Sequence, residues 1–142
     1  KKRNQYLLSN IRQQSVPNVV VFNSNVLNLI HTSCFRDINV FFIDPPWGGG
    51  GYKYKRCVSL HLSGVSLSRV VNRLQKHAVG DRIVGIKVPC NFDISSFHDQ
   101  CNEYIHIVYI CKLPKMLMII LMEQRIIMII KLLYGQPLLI LS

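Results

Sequence analysis

At 142 residues and 49% hydrophobic content, the chain has room for one domain with a real core. Lys and Arg outnumber Asp and Glu by 17 to 7, and the net charge of +10 favours anionic partners such as nucleic acid or a membrane surface, although a generally basic solvated surface would give the same balance. Cys34, Cys57, Cys90, Cys101 and Cys111 are odd in number and contain no C-x-x-C pair, which argues against a zinc site and a secreted disulfide framework and for reduced thiols in an intracellular protein.

The start, Lys1-Lys2-Arg3, leads into no long apolar run, so no signal peptide is predicted, and the abrupt polar beginning fits a fragment. Tyr6, Leu7 and Ile11 suit the end of an amphipathic helix, and residues 15–18 a turn. Residues 19–22 form a β-branched run of strand length. The polar break Asn23-Ser24-Asn25 follows, then a short helix over 26–30. Residues 40–43 are apolar in succession, as expected of a parallel strand covered on both faces, and residues 48–54 read as a loop. Ser66 can cap a helix carrying Leu67, Val70, Val71, Leu74 and Ala78, ended by Gly80-Asp81.

Residues 83–88 are the next predicted strand, stopped by Pro89, and Asp93 can cap a helix carrying Ile94, Phe97 and Cys101. Residues 105–111 and 116–122 flank a short connection and read as a β-hairpin. The alternation predicts an α/β domain over residues 1–122, with parallel strands ending in an antiparallel β-hairpin. Residues 123–142 form an apolar C-terminal extension. Arg125, Lys131, Gly135 and Pro137 interrupt it, so a membrane span is not expected.

The segment Asp44-Pro45-Pro46-Trp47-Gly48-Gly49 behind the apolar strand is the chief candidate site. The prolines lack N–H donors and have fixed φ, so the strand stops and leaves acceptors free. An aromatic beside such acceptors suits a planar base with an exocyclic amine, though a simple turn with a packed Trp47 would also account for the residues. Lys53, Lys55 and Arg56, interleaved with Tyr52 and Tyr54, suit a phosphate chain or, equally, a solvated basic loop. The five histidines have no metal-ligand spacing, and no metal is expected.

Asp44-Pro45-Pro46-Trp47 resembles the catalytic motif of amino-group methyltransferases that use S-adenosylmethionine. Gly48, Gly49 and Tyr52, with Pro89-Cys90-Asn91-Phe92-Asp93 downstream, narrow the likeness to the trimethylguanosine-synthase family of RNA-cap guanine-N2 methyltransferases. The resemblance implies a Rossmann-like class I sheet, of which this chain holds the C-terminal portion, with the first strands and the glycine-rich cofactor loop lying before Lys1. It implies that Asp44 and Pro45 accept from the guanine amine, that Pro46 shapes the turn, and that Trp47 stacks on 7-methylguanine. Gly48, Gly49, Tyr52, Lys53, Lys55, Arg56 and Asn91 would contact the substrate, and Ser24, Asn25 and Asp44 the cofactor.

Asn25 stands where the family carries an acid, and Asp44 where cellular members carry Ser; the compact sequence resembles versions in large DNA viruses. The implied partner is capped RNA, whether a small nuclear, small nucleolar or viral transcript, in nucleus or cytoplasm. Two rival readings fit the same residues: an adenine-N6 methyltransferase, which shares Asp-Pro-Pro-Trp, and a non-catalytic cap- or RNA-binding fragment.

Overall fold

The computed structural model describes residues 2–15, 18–35, 37–76, 82–124 and 126–128. Helix α1 (Lys2–Gln13) opens the chain, with Tyr6, Leu7 and Leu8 exposed. The short α2 (Val26–Leu29) begins where the Asn25 side-chain oxygen accepts the Leu27 N–H at 3.0 Å. Strand β1 (Val40–Ile43) follows, then a 3-10 turn at Gly49–Tyr54 and a two-residue hairpin of β2 (His61–Leu62) and β3 (Val65–Ser66). Helix α3 (Leu67–Lys76), β4 (Ile83–Val88), α4 (Ile94–Asp99), β5 (Ile105–Leu113) and β6 (Met116–Glu123) complete the order.

The main sheet runs β1-β4-β6-β5. β1 and β4 are parallel, with Phe41 opposite Val84 and Ile43 opposite Ile86. β6 pairs antiparallel with both β4 and β5, so the second strand of the hairpin, not the first, lies against the parallel pair. Parallel strands followed by an antiparallel hairpin match the sequence expectation. The hairpin's strands run to Leu113 and from Met116, leaving only Pro114 and Lys115 in its turn.

Alternation decides where the core lies. Val84, Ile86 and Val88 of β4 stand opposite Leu121, Ile119 and Leu117 of β6, and this face packs with the buried Leu67, Val70, Val71 and Leu74 of α3 in one apolar cluster. Both predicted caps form: Ser66 Oγ accepts the Arg69 N–H at 3.4 Å, and Asp93 Oδ1 accepts the Ser96 N–H at 3.1 Å. Arg82, which no sequence pattern singled out, is buried behind α3. Its guanidinium donates to the Leu74 carbonyl near the helix end and, at 2.6 Å, to the Phe35 carbonyl, and it lies 5.0 Å from the Phe41 ring centroid. Burial pushes its pKa down, with the Glu123 charge opposing. One side chain thus satisfies carbonyls on two elements and fastens them to the sheet.

Two expectations are corrected. Residues 19–22 are not a strand: Val19, Val20 and Phe22 are exposed and pair with nothing in the sheet. A β-branched run needs a partner ladder to become a strand, and none of the described strands lies beside it. β1 is not covered on both faces. It forms one edge of the sheet, and Val40 and Phe42 remain 65% and 62% exposed while Phe41 faces the core. The expected loop at 48–54 contains the 3-10 turn. The predicted end of the α3 helix, residues 77–81, and most of the apolar extension, residues 129–142, lie outside the described residues.

Candidate functional site

Asp44 leaves β1 one residue beyond the Ile43–Ile86 pair, which brings it beside Lys87 of β4. Lys87 Nζ donates to Asp44 Oδ2 at 2.8 Å, with both side chains partly open to solvent. The same ammonium lies 5.8 Å from the centre of the Trp47 ring. Pro45 is buried and Pro46 exposed, so the chain turns out of the sheet directly after the acid. Trp47 then meets Tyr52 edge to face, with centroids 5.3 Å apart and planes at 82°. That contact holds the indole against the tyrosine ring, with the Lys87 ammonium over it. The indole Nε1 is buried and has no acceptor among the described residues.

Gly48 and Gly49 sit at φ of 87° and 72°, a left-handed pair that side-chain-bearing residues adopt only with strain. A Cβ at either position would meet open space, so the requirement is conformational rather than steric. The two glycines turn the chain into the Gly49–Tyr54 segment, and Asn91 holds that segment down: its Nδ2 donates to the Tyr52 carbonyl at 2.9 Å and the Lys55 carbonyl at 2.7 Å. Val58 completes the brace, donating to the Asn91 carbonyl and accepting from the Asp93 N–H. The loop after β4 is thereby coupled to the loop after β1, through a residue that the resemblance implied as a substrate contact.

Tyr52, Lys53, Lys55, Cys90 and Asn91 line a cleft of about 480 Å³, together with Lys115 from the β5–β6 turn. Arg56 is exposed and does not line it. A second groove, of about 390 Å³, runs between α2 and β1, lined mainly by apolar side chains including Val26, Ile30 and Ile43, with Asp44 at its edge. Ser24 and Asn25 precede α2 beside that groove, but the Asn25 oxygen is occupied in capping, and neither side chain lines it.

The structure therefore brings together Asp44, Trp47 and Tyr52, and braces Tyr52 and Lys55 through Asn91. Ser24, Asn25 and Arg56 stand apart. Lys87 and Lys115 were missed. Lys87 had a signal, a lone charge inside the apolar run 83–88, whereas Lys115 reaches the cleft only through the fold.

Among the described residues no group of three or more His, Cys, Asp or Glu converges to hold a metal, and no helix is long and apolar enough to cross a membrane. The chain is similar to the uncharacterized protein L320 of Acanthamoeba polyphaga mimivirus, with 34% identity over 104 residues. The match covers 72% of this chain but 40% of that protein. No protein-family description and no solved structure matches the chain.

Proposed function

We propose that the chain provides the base-binding side of an S-adenosylmethionine-dependent methyltransferase acting on the N2 amine of 7-methylguanosine RNA caps. The observation that carries this reading is the constellation at the carboxyl ends of β1 and β4: an acid followed by two prolines, and a tryptophan pinned by a tyrosine with a cation over its ring. Ligands of open α/β sheets gather at the carboxyl ends of the strands. The order β1-β4-β6-β5 is compatible with the C-terminal half of a Rossmann-like methyltransferase sheet.

The groove between α2 and β1 fits an adenosyl group, being apolar, with one carboxylate at its edge. Among the described residues, none lining that groove is a cation that would pair with the methionine carboxylate. When bound, S-adenosylmethionine supplies a methyl carbon activated by its sulfonium. The residues of this chain would handle the base. The lone pair of the guanine amine is delocalised into the ring, so holding the amine in line is most of the task, and such alignment supplies a large part of a barrier reduction. Asp44 and the Pro45 carbonyl would accept from the amine and offset its developing positive charge.

Asp44 must first give up Lys87. An exposed pair of this kind is worth about 0–1 kcal/mol, so the exchange costs little. Trp47 already receives an ammonium at its ring, and 7-methylguanine, formally cationic, would replace it with a cation–π gain of roughly 0.5–2 kcal/mol beside the stacking. The substrate would be a cellular or viral transcript in the nucleus or cytoplasm.

Trp47 is the only tryptophan, so its fluorescence reports the site directly. Saturable quenching by 7-methylguanosine and much weaker quenching by guanosine is the expected result. Equal quenching by the two would remove the cation–π argument, and preferential displacement by adenine-containing RNA would favour adenine-N6 methylation instead.

A further inference from the structure

We infer that the cleft between the Gly49–Tyr54 turn and the β5–β6 turn binds the phosphate chain of single-stranded RNA, and that Lys115 is one of its phosphate contacts. The cleft is lined by three parts of the chain that are distant in sequence: Tyr52, Lys53 and Lys55, then Cys90 and Asn91, and Lys115 of the β5–β6 turn. All three lysines are exposed, and among the described residues none is paired with a carboxylate. Three unneutralised ammonium groups around one concavity favour a polyanion, whose condensed counterions they release.

The shape favours a strand over a free ion. Asn91 ties down the carbonyls of Tyr52 and Lys55, so Lys53 and Lys55 are carried by a braced backbone. Tyr52, which lines the cleft, is also the residue whose ring meets Trp47, so the base shelf and the cleft share a residue. A nucleotide stacked on Trp47 would therefore direct its phosphates past Tyr52 into the cleft. Aromatic platforms alternating with cations are how sequence-tolerant single-strand sites are built. In this respect the inference rests on the cap reading for the origin of the strand, but the cleft binds phosphates whichever base precedes it.

The experiment compares the whole chain with Lys115→Gln and with Lys112→Gln, a neighbouring exposed lysine outside the cleft. Binding of a capped RNA of about ten nucleotides is followed by anisotropy across a salt series. Lys115→Gln should weaken RNA binding roughly threefold to tenfold at low salt and reduce the log–log salt slope by about 0.7, the value for one phosphate contact on a single strand. It should leave quenching of Trp47 by the 7-methylguanosine nucleoside, which has no phosphate, as in the parent.

An equal loss in Lys112→Gln, or an unchanged salt slope in Lys115→Gln, would overturn the inference. So would competition by polyglutamate matching that of RNA at equal charge, which would point to an acidic protein partner. Should the nucleoside fail to quench Trp47 while Lys115→Gln still lowers RNA affinity and slope, the cap reading falls and the cleft stands.

Discussion

The two halves of the main sheet are built on opposite terms. On the β4–β6 side, Val84, Ile86, Ile119 and Leu121 are 0% exposed and interlock beneath α3. On the β1 side, Val40 and Phe42 stand open along an edge strand. One half holds the fold together and the other presents surface. The Asp44–Lys87 pair sits on the seam between them, with its acid on the open strand and its base on the buried one. A site placed there has one rigid wall and one accessible wall.

The comparison can be broken most forcefully at Leu121. Leu121→Ala removes a side chain at the centre of the closed half and should cost about 2–5 kcal/mol, read from denaturant unfolding. Arg82→Met keeps length and apolar contact but strips the donors from the Leu74 and Phe35 carbonyls, and a loss of about 1–3 kcal/mol is expected in the same assay.

Gly85→Ala tests the face between the halves. A Cβ there would lie 3.5 Å from Ile120 Cδ1 and 3.6 Å from Phe42 Cδ2, ordinary contacts that need no rearrangement. A gain of about 0.4–1 kcal/mol should follow from the stiffer unfolded chain, and a loss would show that the strand needs its glycine. Phe42→Ser should change unfolding free energy by no more than about 0.5 kcal/mol, because the ring is already largely in water. Its effect should appear in light scattering instead, as reduced self-association through the exposed apolar edge.

Sequence patterning was most legible where local and tertiary demands coincide. The runs at 83–88, 105–111 and 116–122 became strands because each has a paired neighbour and a buried face. The run at 19–22, Val-Val-Val-Phe, is as β-prone but has no neighbour among the described strands, so its propensity had nothing to act on. Ser66 and Asp93 could be read as caps because a cap is satisfied within three residues of itself. Asp44, Trp47 and Tyr52 were legible as a local motif, and Asn91 as part of another. The tie between the motifs was not, since it is made by backbone carbonyls that any residue would supply. Lys115 depends on how far the hairpin reaches over the β4 loop, which no periodicity records.

Because Asp44 and Lys87 neutralise each other, the base shelf carries no net side-chain charge, while Lys53, Lys55, Arg56 and Lys115 have no ion-pair partner among the described residues. Such a distribution sets an order of events. A polyanion would be drawn first by the outlying cations, over a screening length of about 8–10 Å in physiological salt, and only then meet the ring. Its association rate should fall as salt is raised, as for other electrostatically steered encounters, while its dissociation, if governed by the proposed stacking on Trp47, should change far less. The same protein would thus capture by charge and retain by shape.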